Sequence, residues 1–541
     1  MAKQIYYGGE IVTMAAVDAE TETYPEALVV SDGHIAYVGA LDEAKTVAGG
    51  DAELIDLAGK TLLPAFIDGH SHISMAAQMG QGADLSDCES YEDIVRTLKA
   101  FLAENEITED ELLVGFGYDH NFLKEGGHPT REVLDQVSAT IPIYVSHVSG
   151  HMGCTNSAGL ALAGIDHTTP SPEGGMIGRM EGSDEPNGYL EEAGMMALQR
   201  VLPGRMKIDM MKGLKKAQEN YLKYGVTTVQ DGASSVDTIK LLAGACANGV
   251  IDVDVVAYPL CGETDAEEIF QTYGDYDEKY KEHLKLGGYK LVLDGSPQGK
   301  SAWLTQPYEN SGDYCGYPWM PDEKVESFME EALKNHRQIL VHCNGDAAGD
   351  QFLNAYEKAL KKYPGAASED LRPVMIHCQT ARDDQLARMK EMDMIPSVFV
   401  GHVYYWGDVH VKNLGEARGS RVSPCRSALA QGLIMNFHQD TPVTKPDMMH
   451  SVWTAVNRIT RGGRVIGEEQ RIGVYEAMKA ITIQAAYAYH EEGEKGSLET
   501  GKRADLVIME TNPLKADKMS LKDIRVMETI KEGKTLYKRE A

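Results

Sequence analysis

No stretch of about 20 consecutive apolar residues occurs anywhere in the chain, which excludes a membrane-spanning helix of the usual kind. The first twenty residues, MAKQIYYGGEIVTMAAVDAE, also lack a basic segment followed by an apolar core, so no secretory signal is read and the expected location is cytoplasmic. Cations are scarce: 52 Lys and Arg stand against 82 Asp and Glu, a formal charge of -30. That surplus repels phosphate backbones and anionic bilayers, so neither nucleic acid nor a membrane surface is an expected partner. The acidic residues are dispersed, as at Glu104, Glu106, Glu491 and Glu492, which fits a solvated surface with no acidic tail. The 8 cysteines are scattered without a Cys-x-x-Cys pair, which points to reduced thiols serving as small core residues. Also missing are Gly-x-Ser-x-Gly, a Walker A loop and His-Glu-x-x-His. Gly115-Phe116-Gly117 has no third glycine at dinucleotide spacing, because His120 stands there.

What is present suits a large, loop-rich enzyme: 541 residues, 43% hydrophobic, 7% aromatic and 54 glycines. A chain of this length is expected to form one large domain with smaller attachments. Residues 1–60 alternate apolar and polar positions, with turns at Asp32-Gly33, Gly49-Gly50 and Gly59, the pattern of short antiparallel strands. The segment from 490 to 541 has the same character, so the two termini are expected to share one small β-sandwich domain.

Between them, apolar runs bounded by Gly or Asp alternate with helical stretches such as 324–337 and 382–392. Eight strand candidates emerge, at 61–72, 224–233, 251–260, 287–296, 337–346, 373–380, 395–402 and 433–443. The count matches an α/β fold of the (β/α)8 TIM barrel type, spanning 61–79 and 216–489. The first two candidates lie too far apart for a single βα connection, so residues 80–215 are read as an inserted subdomain after strand 1.

His70 and His72 close the first apolar run, and the two-residue period of a strand turns both imidazoles to one face. Two neutral imidazoles so placed can chelate zinc, which favours histidine nitrogen and leaves a position for water in catalytic sites. A lone His-x-His is close to what 17 histidines would give by chance, so its weight rests on context. Four later strand ends supply it: Lys290, His342, His377 and Asp440 each place a metal-competent or basic group there. Cys343 and Cys378 follow the two histidines, and pleat alternation turns them away from the ligand face. Asp440, in His438-Gln439-Asp440, can take a proton from an attacking water and pass it to a leaving amine, the role of a general base.

Several phrases, LLPAFIDGHSH, the Lys-x-x-x-Asp-Gly of KLVLDGS, VHCNGD, MIHCQ and the closing GKRADLVI, resemble the amidohydrolase superfamily. More narrowly, with SGHMGCTNSAGL and DGSPQGKSAWLTQPY, the chain is similar to the branch of amidohydrolase family 3 that includes YtcJ and the N-substituted formamide deformylases. The resemblance covers nearly the whole chain. It implies that His70, His72, His342 and His377 hold one or two zinc ions, with Asp440 as both ligand and base. It further implies that Lys290 carries a carbamate bridging two metals wherever two are bound. Asp294 and Gly295 would shape the end of that strand. His151, His438 and Trp406 are candidates to contact substrate, and Tyr404 with Trp406 could wall the pocket.

The expected activity is therefore zinc-dependent hydrolysis of a non-peptide carbon–nitrogen bond in a small molecule, by a chain whose homodimerisation is favoured only by base rate. A deaminase of the same superfamily would carry an acid three residues after the fifth-strand histidine, where this chain has Gly345, with Asp346 one further on. Ester or lactone hydrolysis would use the same ligands. A non-catalytic scaffold, the remaining alternative, would have no reason to keep them.

Overall fold

A computed structural model describes residues 3–540, apart from 149–151, 173–174, 202–204, 206–208 and 263–265. The chain forms two compact units, one made of Met1–Ser74 with Gln218–Ala541 and the other of Met75–Ala217. Among the described residues, no helix is long and apolar enough to cross a membrane.

Among the described residues, nine parallel strands organise the larger unit. They are β1 (Phe66–Ile67), β2 (Val226–Ser234), β3 (Asp254–Pro259), β4 (Leu284–Leu286), β5 (Tyr289–Val292), β6 (Ile339–Cys343), β7 (Val374–His377), β8 (Ile395–Val398) and β9 (Asn436–Phe437). Apart from single positions in β2, β5 and β6 they are fully buried, as apolar runs flanked by helices should be. Two sheets result, in the orders β4-β3-β2-β1 and β5-β6-β7-β8-β9. They meet at both edges. Leu260 bridges Lys290 in parallel, with the Cys261 N–H donating to the Lys290 carbonyl at 2.9 Å. At the other edge the Gly69 N–H donates to the Phe437 carbonyl at 3.1 Å, and the Asp440 N–H to the His70 carbonyl at 3.2 Å.

The strand expected over 287–296 is β5, and β4 precedes it as a further strand that was not expected, separated from it by Gly287-Gly288. A Cβ on Gly287 would lie 2.4 Å from the Tyr258 ring, and one on Gly288 2.3 Å from the Gln338 carbonyl, so the break lies where neighbours crowd the backbone.

Sequence from both termini pairs in one five-stranded sheet, where Leu506–Met509 runs antiparallel to Thr61–Pro64 with Val507 opposite Leu63. A four-stranded sheet of residues 4–7, 27–31, 34–39 and 53–56 contributes Leu28, Val30 and Ile35 to the same core as Leu62, Leu506 and Ile530.

Among the described residues, the smaller unit holds helices and a six-stranded mixed sheet. Its central strands, Leu113–Tyr118 and Ile143–His147, follow the two-residue period: Leu113, Ile143 and Val145 enter one apolar core, Val114 and Tyr144 another. Ser90 and Asn156 cap its helices by accepting the Asp93 and Gly159 N–H groups.

Candidate metal centre

The C-terminal ends of β1, β6, β7 and β9, with Lys290 inside β5, bring most of the expected site residues together. His70 Nε2 lies 3.6 Å and His72 Nε2 3.2 Å from Asp440 Oδ1. Lys290 Nζ lies 3.4 Å from His70 Nε2. The His377 ring stands 5.9 Å from that of His70, and the His342 ring 4.5 Å from that of His377. His151 falls outside the described residues. Trp406 is buried against His402 at 4.6 Å and Phe399 at 6.1 Å, with Phe399 itself packed on His377 and His438.

Local backbone shape aims several of these groups. His377, Cys378 and Asp440 have φ of 69°, 49° and 54°, the left-handed region that non-glycine residues avoid. Such positions cost on the order of 1–3 kcal/mol each and persist where the surroundings dictate them, commonly at functional sites. The His70 ring fits only because residue 232 is glycine, since a Cβ there would lie 2.3 Å from His70 Cε1.

Hydrogen bonds decide which ring nitrogens face inward. The Gln230 amide donates to the Gly69 carbonyl at 3.3 Å and the Tyr489 hydroxyl at 3.1 Å, so its oxygen is turned to His70 Nδ1. His70 therefore keeps its hydrogen on Nδ1, and its Nε2 lone pair points at Lys290 and Asp440. His438 is fully buried, with Nε2 3.1 Å from His377 Nδ1 and Nδ1 2.9 Å from Ser397 Oγ. Both of its nitrogens are thus engaged by protein groups.

Asp294 accepts the Asn344, Gly345 and Trp303 N–H groups at 3.0, 2.7 and 3.0 Å, and so ties the end of β6 to the end of β5. Sequence reasoning missed Gln230 and Ser397. Gln230 shares its buried strand with the polar Thr227, Thr228, Asp231 and Ser234, so no signal in the sequence singled it out.

Burial and the nearby Lys290 hold the His70 imidazole well below its ordinary range, and burial with the neighbouring His342 does the same for His377. Both rings are neutral, as metal ligation requires. Burial pushes the Asp440 carboxyl up, but the His72 and His438 rings outweigh it, and the group sits below the ordinary carboxylate value. Burial drives the Lys290 ammonium down to about 8. It drives the Cys378 thiol up to about 12, so no thiolate competes for the site.

A divalent cation fits this donor set on the structure's own terms. Asp440 Oδ1 is buried and, apart from the His70 and His72 rings that face it, has no polar partner among the described residues, whereas His342 Nδ1 stands 3.2 Å from Asp294 Oδ1. An uncompensated buried polar atom costs about 1–3 kcal/mol, and an ion bound between Asp440 Oδ1 and the two imidazoles facing it would satisfy it. His70, His72 and Asp440 offer three ligand atoms that all lie within 4.8 Å of one another.

The position that would carry a deaminase acid is closed. A Cβ on Gly345 would lie 1.8 Å from the Trp303 carbonyl oxygen, which is backbone and cannot swing aside. Asp346 is committed elsewhere: it accepts the Thr305 N–H at 2.9 Å, the Thr305 hydroxyl and the Arg382 guanidinium at 3.0 Å. Gly345→Ala is expected to destabilise the fold by about 1–3 kcal/mol through overpacking, seen as a lower denaturant midpoint at unchanged slope. An unchanged midpoint would contradict the contact.

Comparison with known proteins agrees with this geometry. The model of the Amidohydrolase family matches residues 53–537. The chain is 27% identical over 529 residues to an N-substituted formamide deformylase of Arthrobacter pascens, covering 95% of each. It is 25% identical over 555 residues to the putative amidohydrolase YtcJ of Bacillus subtilis, covering 99% of this chain and 100% of that one. Among solved structures, an uncharacterized metal-dependent hydrolase from Pyrococcus furiosus superposes with a TM-score of 0.72 at 25% identity, over 95% of this chain and 100% of that one. With a matched length of this extent, and with imidazoles and a carboxylate gathered at the ends of parallel strands, the chain belongs to the amidohydrolase family, enzymes that hydrolyse carbon–nitrogen bonds.

Proposed function

We propose that this protein is a zinc-dependent hydrolase of a non-peptide carbon–nitrogen bond, an amide or N-substituted formamide, with Asp440 as general base. The observation that carries the reading is the facing of His70 Nε2, His72 Nε2 and the unsatisfied Asp440 Oδ1. The fold reading that goes with it is a (β/α)8 barrel, with the four-stranded and five-stranded sheets as a β-sandwich and the smaller unit as an insertion after strand 1. The edge-to-edge meeting of the two parallel sheets supports it.

His70, His72, His342, His377 and Asp440 would hold the ion or ions. When bound, such an ion polarises the scissile carbonyl and acidifies a water beside it. Asp440 accepts the proton of the attacking water at its carboxylate and returns it to the departing nitrogen, so the amine leaves neutral. Gln230 holds His70 with Nε2 inward, and the chain Ser397, His438, His377 holds His377 likewise; such partners typically matter 10–100-fold to metal affinity or activity. His438, engaged at both nitrogens, is on this reading a positioning residue.

Lys290 enters as the carbamate-forming lysine. Its side chain is buried at 1% exposure, and among the described residues no carboxylate pairs with its Nζ within 4 Å. A neutral amine in that setting can add to carbon dioxide with loss of a proton, and the resulting anion could bridge two metals.

The similarity to a formamide deformylase directs the substrate choice towards N-substituted formamides. A zinc-replete activity screen across formamides, N-acyl amines, cyclic amides, amidines and esters tests the proposal. Turnover of C–N substrates, abolished by a chelator and restored by zinc, is expected. Turnover confined to esters or to amidines, or no metal dependence, would overturn it. Intact mass read beside metal content gives the carbamate arm: two metals with a carboxylated Lys290 is expected for the binuclear form, and one metal on an unmodified lysine excludes it.

A further inference from the structure

In the smaller unit, the parallel strands Leu113–Tyr118 and Ile143–His147 pair Phe116 with Ser146 and then Tyr118 with His147. Gly117 is skipped, and its φ of 88° marks it as the extra residue of a bulge. That slip sets His147 opposite Tyr118, next to Asp119 and His120. All three lie at the carboxyl ends of neighbouring parallel strands, where open α/β sheets bind their ligands.

The donor atoms are spaced for a metal. His120 Nδ1 lies 3.1 Å from His147 Nε2, His147 Nε2 3.5 Å from Asp119 Oδ1, and His120 Nδ1 3.8 Å from the same oxygen. Metal–nitrogen and metal–oxygen bonds of about 2.0–2.2 Å at tetrahedral angles put donors roughly 3.3–3.5 Å apart. The three atoms therefore outline one face of a tetrahedron. Asp119 and His147 are buried at 6% side-chain exposure, while His120, at 29%, faces the way in. The His120 ring is held in place by His128, stacked on it at 4.3 Å, whose own Nδ1 meets the Tyr118 hydroxyl at 2.9 Å.

We propose that Asp119, His120 and His147 form a second divalent-metal site, one that takes a zinc-like ion on two imidazoles and a carboxylate. This donor mix suits zinc, cobalt or nickel better than calcium or magnesium, which take oxygen ligands. The site shares no residue with the ligand set of His70 and Asp440, and it stands or falls independently of the proposed hydrolysis.

The test uses the full chain with His70→Ala and His72→Ala, stripped of metal and titrated with cobalt(II). One equivalent is expected to bind with visible d–d absorption, and adding His147→Gln, or separately His120→Gln, should weaken that binding at least about tenfold. Circular dichroism and thermal unfolding of the stripped proteins verify that each variant is folded, and the more exposed His120→Gln serves if His147→Gln is not. In the chain with His70 and His72 intact, zinc content after dialysis should fall by one equivalent with either substitution. No uptake in the His70→Ala, His72→Ala background, or uptake unaffected by both glutamines, would reduce the cluster to hydrogen-bonded histidines and overturn the site.

Discussion

Asp440→Asn is expected to retain bound metal and to lose about 10²–10⁴-fold in kcat, the contribution of a positioned general base. Asparagine keeps the shape of the side chain and one carbonyl oxygen that can face His70 and His72, but its amide cannot take up a proton. The native carboxylate is suited to accepting one, since His72 and His438 keep it ionised and the left-handed backbone at φ 54° aims it between the two imidazoles. The loss should fall on kcat more than on KM, because the proton moves in the transition state and not on binding. Steady-state kinetics beside metal analysis checks this, and wild-type turnover in the variant would remove Asp440 from the chemistry.

His70→Ala should do something different, which is to lose the metal. His70 is 1% exposed, its ring fills the space left by Gly232, and its Nδ1 is committed to Gln230. Alanine supplies no donor, and of the three ligand atoms that lie within 4.8 Å of one another only those of His72 and Asp440 remain. The affinity should fall by more than the roughly 10–100-fold that losing a ligand's hydrogen-bond partner costs, with activity at background. Gln230→Leu, which removes only that partner, should lie within the smaller range. Metal content after dialysis orders the three proteins, and a His70→Ala chain with its full complement of metal would refute the ligand assignment.

The contrast between these two variants shows how legible the site was in the sequence. Strand ends are local: an apolar run closing on His-x-His or His-Gln-Asp tells which side chains leave the strand on one face, because the pleat repeats every two residues. His70, His72, Lys290, His342, His377 and Asp440 could be named that way. Their partners could not. Gln230 sits 160 residues from His70, and Ser397 sits 41 from His438, separations across which no periodicity carries information. Nor could His438's part be read, since its strand face was legible while both of its nitrogens are committed to neighbours on other strands.

The fold divides in the same way. Short-range patterning marked the buried strands of the parallel sheets except β4, and the alternation at both termini marked their small sheets. The break between β4 and β5 was hidden, because it comes from the Tyr258 ring and the Gln338 backbone pressing on Gly287 and Gly288. Gly345 was visible as a departure from the deaminase pattern, but the Trp303 carbonyl that forbids a side chain there was not. Gly115-Phe116-Gly117 read only as a failed dinucleotide motif, and its bulge acquires meaning once Ile143–His147 lies beside it.

By itself, then, the sequence determined the alternation of strand and helix, the acidic surface and the inventory of metal-competent side chains, since all three depend on spacing along the chain. Tertiary structure alone decided that His70 turns Nε2 to Asp440, which carboxylates are already spent on backbone N–H groups, and that His120 and His147 meet. Those are properties of through-space neighbours, and a ring nitrogen, a carboxylate or a cation acquires its chemistry from what lies within about 3–4 Å of it.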